Sequence, residues 1–527
     1  MKNKLTLIAL ALLLTTAGCQ ESDFEKAYTD PSKIAQTSVE KQFTGFMHAN
    51  REYVIPSYWH YFVVLRPTIN RFTQSVGWVT TENQYVPGGS LTGDRWANYY
   101  NFLAQYRELE KVFNSQTEAT KTDYRIYTIA STVYLYDHTQ KVVDLHGDIP
   151  FSEAGMLSTN GGDYTKSYPK YDKAEDIYTK MLNDLKSYAD EMSTINVKAA
   201  VLAGFRTQDL VNKGDLMLWR KYINSLRVRM LTRVSGSSAF SARAKSEIAE
   251  ILANPGKYPL VTTNADNIQI SIFNVSTDIN SSGFRTGLED WNGNVAGKAM
   301  IDHMKTNADP RLRVLFEPGL NANGAYSGLD PLATAAVQDA TIAAQTVSLY
   351  NRSTLSRNRF FPGMLINSAE VHLMLAEYQL TNGNDAVAKT HYETAIKHST
   401  EFYYNVRSIS DDNTVAAPAA ATAAEIESYL AAADISWDTA TTPAQKLHRI
   451  ASQRWLHFNV VQPYENWADM RRLKNMNLTF WEDQSNNQKL PPARFLYPNS
   501  EVTFNLQNYE AVRANDQLAK KLFWDVK

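Results

Sequence analysis

Three apolar stripes with helical spacing constrain this chain more than any other feature. Ile126, Ile129, Val133 and Tyr136 recur every three or four residues. So do Ala174, Ile177, Tyr178, Met181, Leu182 and Leu185, and again Trp219, Tyr222, Ile223, Leu226 and Met230. Each is the one apolar face of an amphipathic helix, and such a face must be buried against another helix. The chain is therefore expected to be mainly α, with a helical scaffold over about 37–255. Its 527 residues bury enough surface to fold without disulfide staples. With 53 basic and 55 acidic side chains, it has no overall field to draw in nucleic acid, and no nucleic-acid partner is expected.

Between 256 and 362 the texture changes. Residues 256–295 are rich in Asn, Ser, Thr and Gly, and Ile268, Ile270 and Ile272 alternate with Gln269 and Ser271, the pattern of a short half-buried strand. Residues 317–362 carry Gly319, Gly324, Gly328 and Pro331. Irregular stretches of this length inside a folded body often carry function, so 256–362 is expected to be the loop-rich, ligand-facing part. Helix resumes over about 364–480, leaving a tail at 481–527. Within it, Leu375, Ala376, Glu377, Gly383, Ala388 and Tyr392 to Ile396 resemble a tetratricopeptide-type helix–turn–helix broken at Thr381–Asn384, although no strict repeat runs through the chain. Thr422 and Glu425 have the spacing of a capping box opening a helix through Tyr429 and Leu430.

The single cysteine, Cys19, permits no internal disulfide and no cysteine metal site. Lys2 and Lys4, then the apolar run Leu5–Leu14, then Ala17 and Gly18 read as a secretory signal over residues 1–18. Leu14 to Cys19 resembles a bacterial lipobox, with Thr16 where Leu is commoner. That resemblance implies cleavage before Cys19, acylation of its thiol and anchoring to a membrane. Residues 19–36 then serve as the lipidated tether. Glu21, Asp23 and Glu25 behind the cysteine resemble a surface-export signal.

Catalytic and metal motifs are absent. The ten histidines include no His-Glu-x-x-His, and His391 and His398, seven apart on one helix face, are expected to be packed or solvated. No Gly-x-Ser-x-Gly elbow, phosphate loop or dinucleotide fingerprint occurs, so no cofactor, no metal and no catalytic residue is assigned. Glu465 and Asp469 lie one helical turn apart, a spacing open to acid–base chemistry on a sugar. Arg471 and Arg472 beside them would keep both ionised, whereas a general acid needs a raised pKa. An ion-pair network is the expected role.

Several segments together resemble the SusD/RagB family of outer-membrane nutrient-binding lipoproteins, nearest its starch-binding-associated SusD-like branch. They are Asp144-Leu-His-Gly147-Asp148-Ile-Pro150-Phe-Ser-Glu153-Ala154, Pro169-Lys-Tyr171-Asp172, Trp219 through Asn224, Ser225, Leu226 and Arg229, and Asp309-Pro310-Arg311-Leu312. Gln453-Arg-Trp455, Glu465-Asn-Trp467-Ala-Asp469-Met-Arg471-Arg472, Leu490-Pro491, Tyr497-Pro498 with Glu501, and Phe523-Trp524-Asp525 complete the series. The resemblance implies a SusD-like fold of tetratricopeptide-like helix pairs with an irregular half. It implies a non-enzymatic, surface-facing lipoprotein of the cell outer membrane that captures oligosaccharides or other nutrients. The partner it implies is a SusC-type TonB-dependent transporter. A helical glycan-degrading hydrolase and a tetratricopeptide-type assembly scaffold are the alternatives.

Sugar rings show apolar C–H faces and polar edges, so their binders pair exposed aromatic rings with hydrogen-bonding side chains. The loop-borne candidates are Trp291 with Asp290 and Asn292, then Trp78, Tyr85 and Tyr326. Trp59, Trp96 and Trp219 are expected in the core.

Overall fold

The computed structural model describes residues 37–527. The signal segment 1–18, Cys19 and the tether to residue 36 lie outside the described residues. The chain is mainly α. Its N-terminal half runs through α1 (Val39–Ala49), α2 (Gly89–Asn114), α3 (Arg125–His146), α4 (Ala174–Met192), α5 (Ala199–Gln208), α6 (Leu216–Val234) and α7 (Ser241–Ala253). The three stripes lie on α3, α4 and α6 and meet in one core with Phe43, Phe46, Phe102 and Leu103. Trp96 and Trp219 belong to the same core. At the end of α3 the backbone turns through Gly147 at φ +83, a conformation glycine adopts without a Cβ penalty. The two-residue strand β1 (Ile149–Pro150) follows and pairs antiparallel with β2 (Tyr171–Asp172).

Residues 256–362 are more regular than their composition predicts. Strand β3 (Ile268–Ile270) lies where the alternation places it but stops short of Ile272. Helices α8 (Gly283–Glu289), α9 (Lys298–Thr306) and α10 (Ala335–Ala343) are set among loops, and β4 (Phe316–Glu317) pairs with β5 (Leu349–Tyr350). Strand β6 (Gly363–Ile366) closes the segment as the antiparallel partner of β3. Apolar side chains dispersed along this segment, among them Phe284, Leu288, Met300 and Leu315, gather with Trp455 and Trp467 into a second core. Dispersal in sequence hid these contacts, because they form only after the chain has returned from a distance.

The helix–turn–helix is α11 (Ser368–Thr381) against α12 (Asp385–Ser408). Helix α13 (Ala423–Ala431) carries the capping box at Thr422 and Glu425. Helices α14 (Pro443–Phe458) and α15 (Pro463–Leu473) follow.

Buried ion pairs tie the helices together. Arg229 of α6 meets Glu370 at 2.5 Å and Asp137 at 3.0 Å. One turn on, Arg233 meets Asp144 and Glu465, each at 2.5 Å. Arg472 holds Glu377 at 2.5 Å and Asp469 at 3.0 Å. Burial pushes the Asp469 carboxyl up, but Arg454 and Arg472 outweigh it and hold the group below the usual carboxylate range. Glu465 and Asp469 thus both serve in ion pairs that hold the fold. Arg311 is likewise buried against Asp309 at 2.6 Å and reaches Gln453 at 2.8 Å. Near the C-terminus, the Trp524 indole donates to Asp144 at 2.8 Å.

Candidate functional site

A π-helix, Trp59–Leu65, and the short helix α8 are pressed together through glycine. A Cβ on Gly287 would lie 2.9 Å from the Ser57 carbonyl oxygen and 2.9 Å from the Tyr61 Cβ; one on Gly283 would lie 2.8 Å from the Tyr58 backbone nitrogen. Only a residue without a side chain permits this approach. The Arg66 N–H donates to the Tyr61 carbonyl at 2.9 Å, the five-residue reach of a π turn. Such turns are rare and concentrate at functional sites.

From this junction two groups of side chains reach the surface. At the start of the π-helix, Tyr58 and Trp59 are exposed, Trp59 to 46%. They line a cleft of about 340 Å³ with Pro56, Glu52, Asp278 and Asn280. Trp59 was expected in the core; the structure corrects this. His48 pairs with Asp278 at 2.6 Å and, by donating to it, holds that carboxyl below its usual range.

At the other end, α8 runs directly into Asp290, Trp291 and Asn292. Trp291 takes φ 56, ψ 36 and Asn292 takes φ 57. Two consecutive left-handed residues without glycine are uncommon, and a Trp there is a strained outlier. The conformation turns the indole outward to 84% exposure. The Asp290 carbonyl accepts from Arg66, which fixes the loop to the π-helix.

Between the two ends, flat groups stack in series. Tyr58 and Phe62 lie 5.0 Å apart at an interplanar angle of 20°. The Arg66 guanidinium sits 4.0 Å from the Phe62 centroid and 5.6 Å from that of Trp78, and Arg71 lies 4.2 Å from Trp78 on its own account. Burial lowers the pKa of both arginines.

The structure therefore joins Asp290, Trp291 and Asn292 to Trp78 through Arg66. It does not make all the expected aromatics into platforms. Trp78 is half-buried with a guanidinium on its ring, so it backs the surface. Tyr85 is 3% exposed and donates to the Trp481 carbonyl at 2.9 Å; its place is under the surface, a correction to its reading as an open loop aromatic. Tyr326 is half-buried, its carbonyl accepts from Lys305 at 2.7 Å, and it takes no part in the stack. Tyr58 and Trp59 were missed. The signal that could have found them is Gly283 and Gly287, four apart in a short helix, which marks a close backbone approach by some partner.

His391 and His398 pack around a third histidine, His372, whose Nδ1 lies 2.9 Å from that of His391. Among the described residues no group of three His, Cys, Asp or Glu is arranged to hold a metal ion, and no helix is long and apolar enough to cross a membrane.

Residues 64–498 match a family model, SusD-like, described as starch-binding and associating with the outer membrane. No curated protein matches the chain. Among solved structures, a SusD homolog from Bacteroides fragilis NCTC 9343 is 19% identical with a TM-score of 0.73, over 93% of this chain and 100% of that one. A chitin-binding SusD homolog from Flavobacterium johnsoniae is 20% identical with a TM-score of 0.70, over 92% of this chain and 99% of that one. A SusD-like protein from Bacteroides thetaiotaomicron VPI-5482 is 18% identical with a TM-score of 0.66, over 92% and 99%. At these identities the likeness establishes a common fold.

Proposed function

The chain belongs to the SusD-like family, starch-binding proteins associating with the outer membrane, and on that premise we propose that it is a surface lipoprotein that binds oligosaccharides without transforming them. One observation carries the reading: Trp291 is held 84% exposed by a strained backbone at one end of a stacked surface whose other end presents Tyr58 and Trp59. Helix α8 separates the two ends by roughly 10 Å, seven residues at the helical rise, a span suited to more than one sugar ring. An indole offers the apolar face that a pyranose ring stacks on. Asn292, Asp290 and Asn280 offer hydrogen bonds to its hydroxyl edges. Acylated at Cys19, the protein would stand on the outer membrane and pass its ligand to a SusC-type TonB-dependent transporter.

The test is a glycan panel, starch and chitin oligosaccharides included, titrated against the full chain in detergent. Trp291→Ala should weaken binding about tenfold with an unchanged melting temperature. A protein that binds glycans equally well after both Trp291→Ala and Trp78→Ala has its site elsewhere. Glycan turnover by the purified protein would favour the hydrolase reading. Mass spectrometry of the mature chain reads the acylation of Cys19, and co-purification from outer membranes reads the transporter.

A further inference from the structure

The turn joining α5 to α6 is tied down by one carboxylate. Asp209 accepts from the backbone N–H groups of Val211 at 2.8 Å, Asn212 at 3.1 Å and Gly214 at 2.8 Å, and from the Trp219 indole at 2.7 Å. Held this way, the turn keeps Lys213 at φ 52, a backbone state that persists in a residue other than glycine only where the surroundings over-determine it. Lys213 is exposed, and across from it, behind a cleft of about 710 Å³, runs the segment leading into β3.

Asn212 lies in the cleft wall at 4% exposure, with its side-chain amide enclosed beneath the surface. Arg206 and Lys213 bring two cations to the lining, and neither is held by a carboxylate among the described residues. The one acidic residue in the lining, Asp215, is committed to the N–H groups of Met217 and Leu218 at the start of α6. Phe273, two residues beyond the lining residue Ser271, is 73% exposed, with the Lys213 ammonium 5.4 Å from its ring centre. Gln269 and Ser271 supply further polar groups.

We propose that this cleft is a second ligand site, apart from the Trp291 surface, and that it takes a sugar acid, a saccharide unit carrying a carboxylate. The carboxylate pairs with Arg206 and Lys213. The apolar ring face rests on Phe273. Hydroxyl edges bond to Gln269 and Ser271. The ligand class rests on the glycan reading above; the location does not.

The experiment is calorimetric titration of the full chain in detergent with tri-galacturonate and, in parallel, with neutral galactotriose and the panel glycans. Tri-galacturonate should bind, more weakly as ionic strength rises. It should lose about tenfold or more in affinity in Arg206→Gln/Lys213→Gln and nothing in Trp291→Ala. Both substituted side chains are exposed, and a thermal melt checks that the variant is folded. Equal affinity for tri-galacturonate in wild type and double variant overturns the proposal. So does tighter binding of poly-glutamate, which would make the occupant an acidic peptide. If tri-galacturonate fails to bind while neutral glycans bind through Trp291, the second site falls and the glycan reading stands. If no saccharide binds at all, the glycan reading falls and takes this ligand class with it.

Discussion

Arg229 and Glu370 meet at 2.5 Å with both side chains 2% exposed, joining a helix of the N-terminal core to the first helix of the tetratricopeptide-like pair. Arg229 also donates to the Leu365 carbonyl at 2.5 Å, and Gln462 donates to Glu370 at 2.9 Å. A buried ion pair pays for its desolvation only when its remaining hydrogen-bonding groups are satisfied, as they are here. Removing one partner strands the other charge. Arg229→Met should cost about 3–5 kcal/mol in urea unfolding, while Arg229→Met/Glu370→Met should recover a large part of it, since Asp137 keeps Lys141 at 2.7 Å. A single variant as stable as wild type would show that the pair does not hold the helices.

Acid should loosen the same interior. Burial raises the Glu377 carboxyl, but Arg472 and Arg454 outweigh burial and hold it at about 2. The folded pKa lies below the unfolded one of about 4.3. The contribution is therefore complete above that value and is lost as pH falls through about 2. It amounts to about 3 kcal/mol. Urea midpoints measured from pH 6 down to pH 2 should fall, and Glu377→Gln should be less stable at pH 6 with a shallower decline below pH 4.5.

Histidine adds a second, higher window. Burial depresses His372 to about 4, below its unfolded value of about 6.5. Its contribution is present above the unfolded value and diminishes as pH falls from there toward 4. His372→Gln should remove that part of the pH dependence. An unchanged profile between pH 6.5 and 4 would refute it.

Gly287→Ala inserts a methyl group 2.9 Å from the Ser57 carbonyl. The backbone there cannot swing aside as a flexible side chain would, so α8 must move off the π-helix at a cost of about 1–3 kcal/mol. Glycan affinity should fall with it, because Trp291 and the Tyr58–Trp59 cleft are positioned by that contact. Full stability together with full binding would contradict this.

Trp291→Gly separates stability from binding. Left-handed backbone costs a residue with a side chain about 1–2 kcal/mol, and glycine returns part of that as unfolded-state entropy. The variant should be as stable as wild type or up to about 1 kcal/mol more stable, and still lose binding. A clear loss of stability would mean that the indole packs against something in solution.

Two tryptophans expected alike should respond oppositely. Trp96→Ala should cost about 3–5 kcal/mol, as a buried Trp does. Trp59→Ala should leave the melting temperature unchanged and weaken glycan binding by about 0.5–1.5 kcal/mol.

The stripes on α3, α4 and α6, the capping box at Thr422, the break at Thr381–Asn384 and the ion-pair role of Glu465 and Asp469 were legible in the residues, because each depends on neighbours within a few positions or on a charge that must be paired if buried. The family was legible from short motifs whose side chains turn out to be architectural: Asp144, Trp219, Arg311, Glu465 and Trp524 all bind other parts of the chain. The surface was legible only in part. Trp291 stood out because its neighbours are polar, but whether Trp59 faces solvent and whether Tyr85 is covered depend on contacts between segments more than two hundred residues apart, such as α8 on the π-helix and Trp481 on Tyr85. Local sequence carries the period of a helix and the preference of a turn; exposure is a property of what other parts of the chain fold against, and no nearby residue records it.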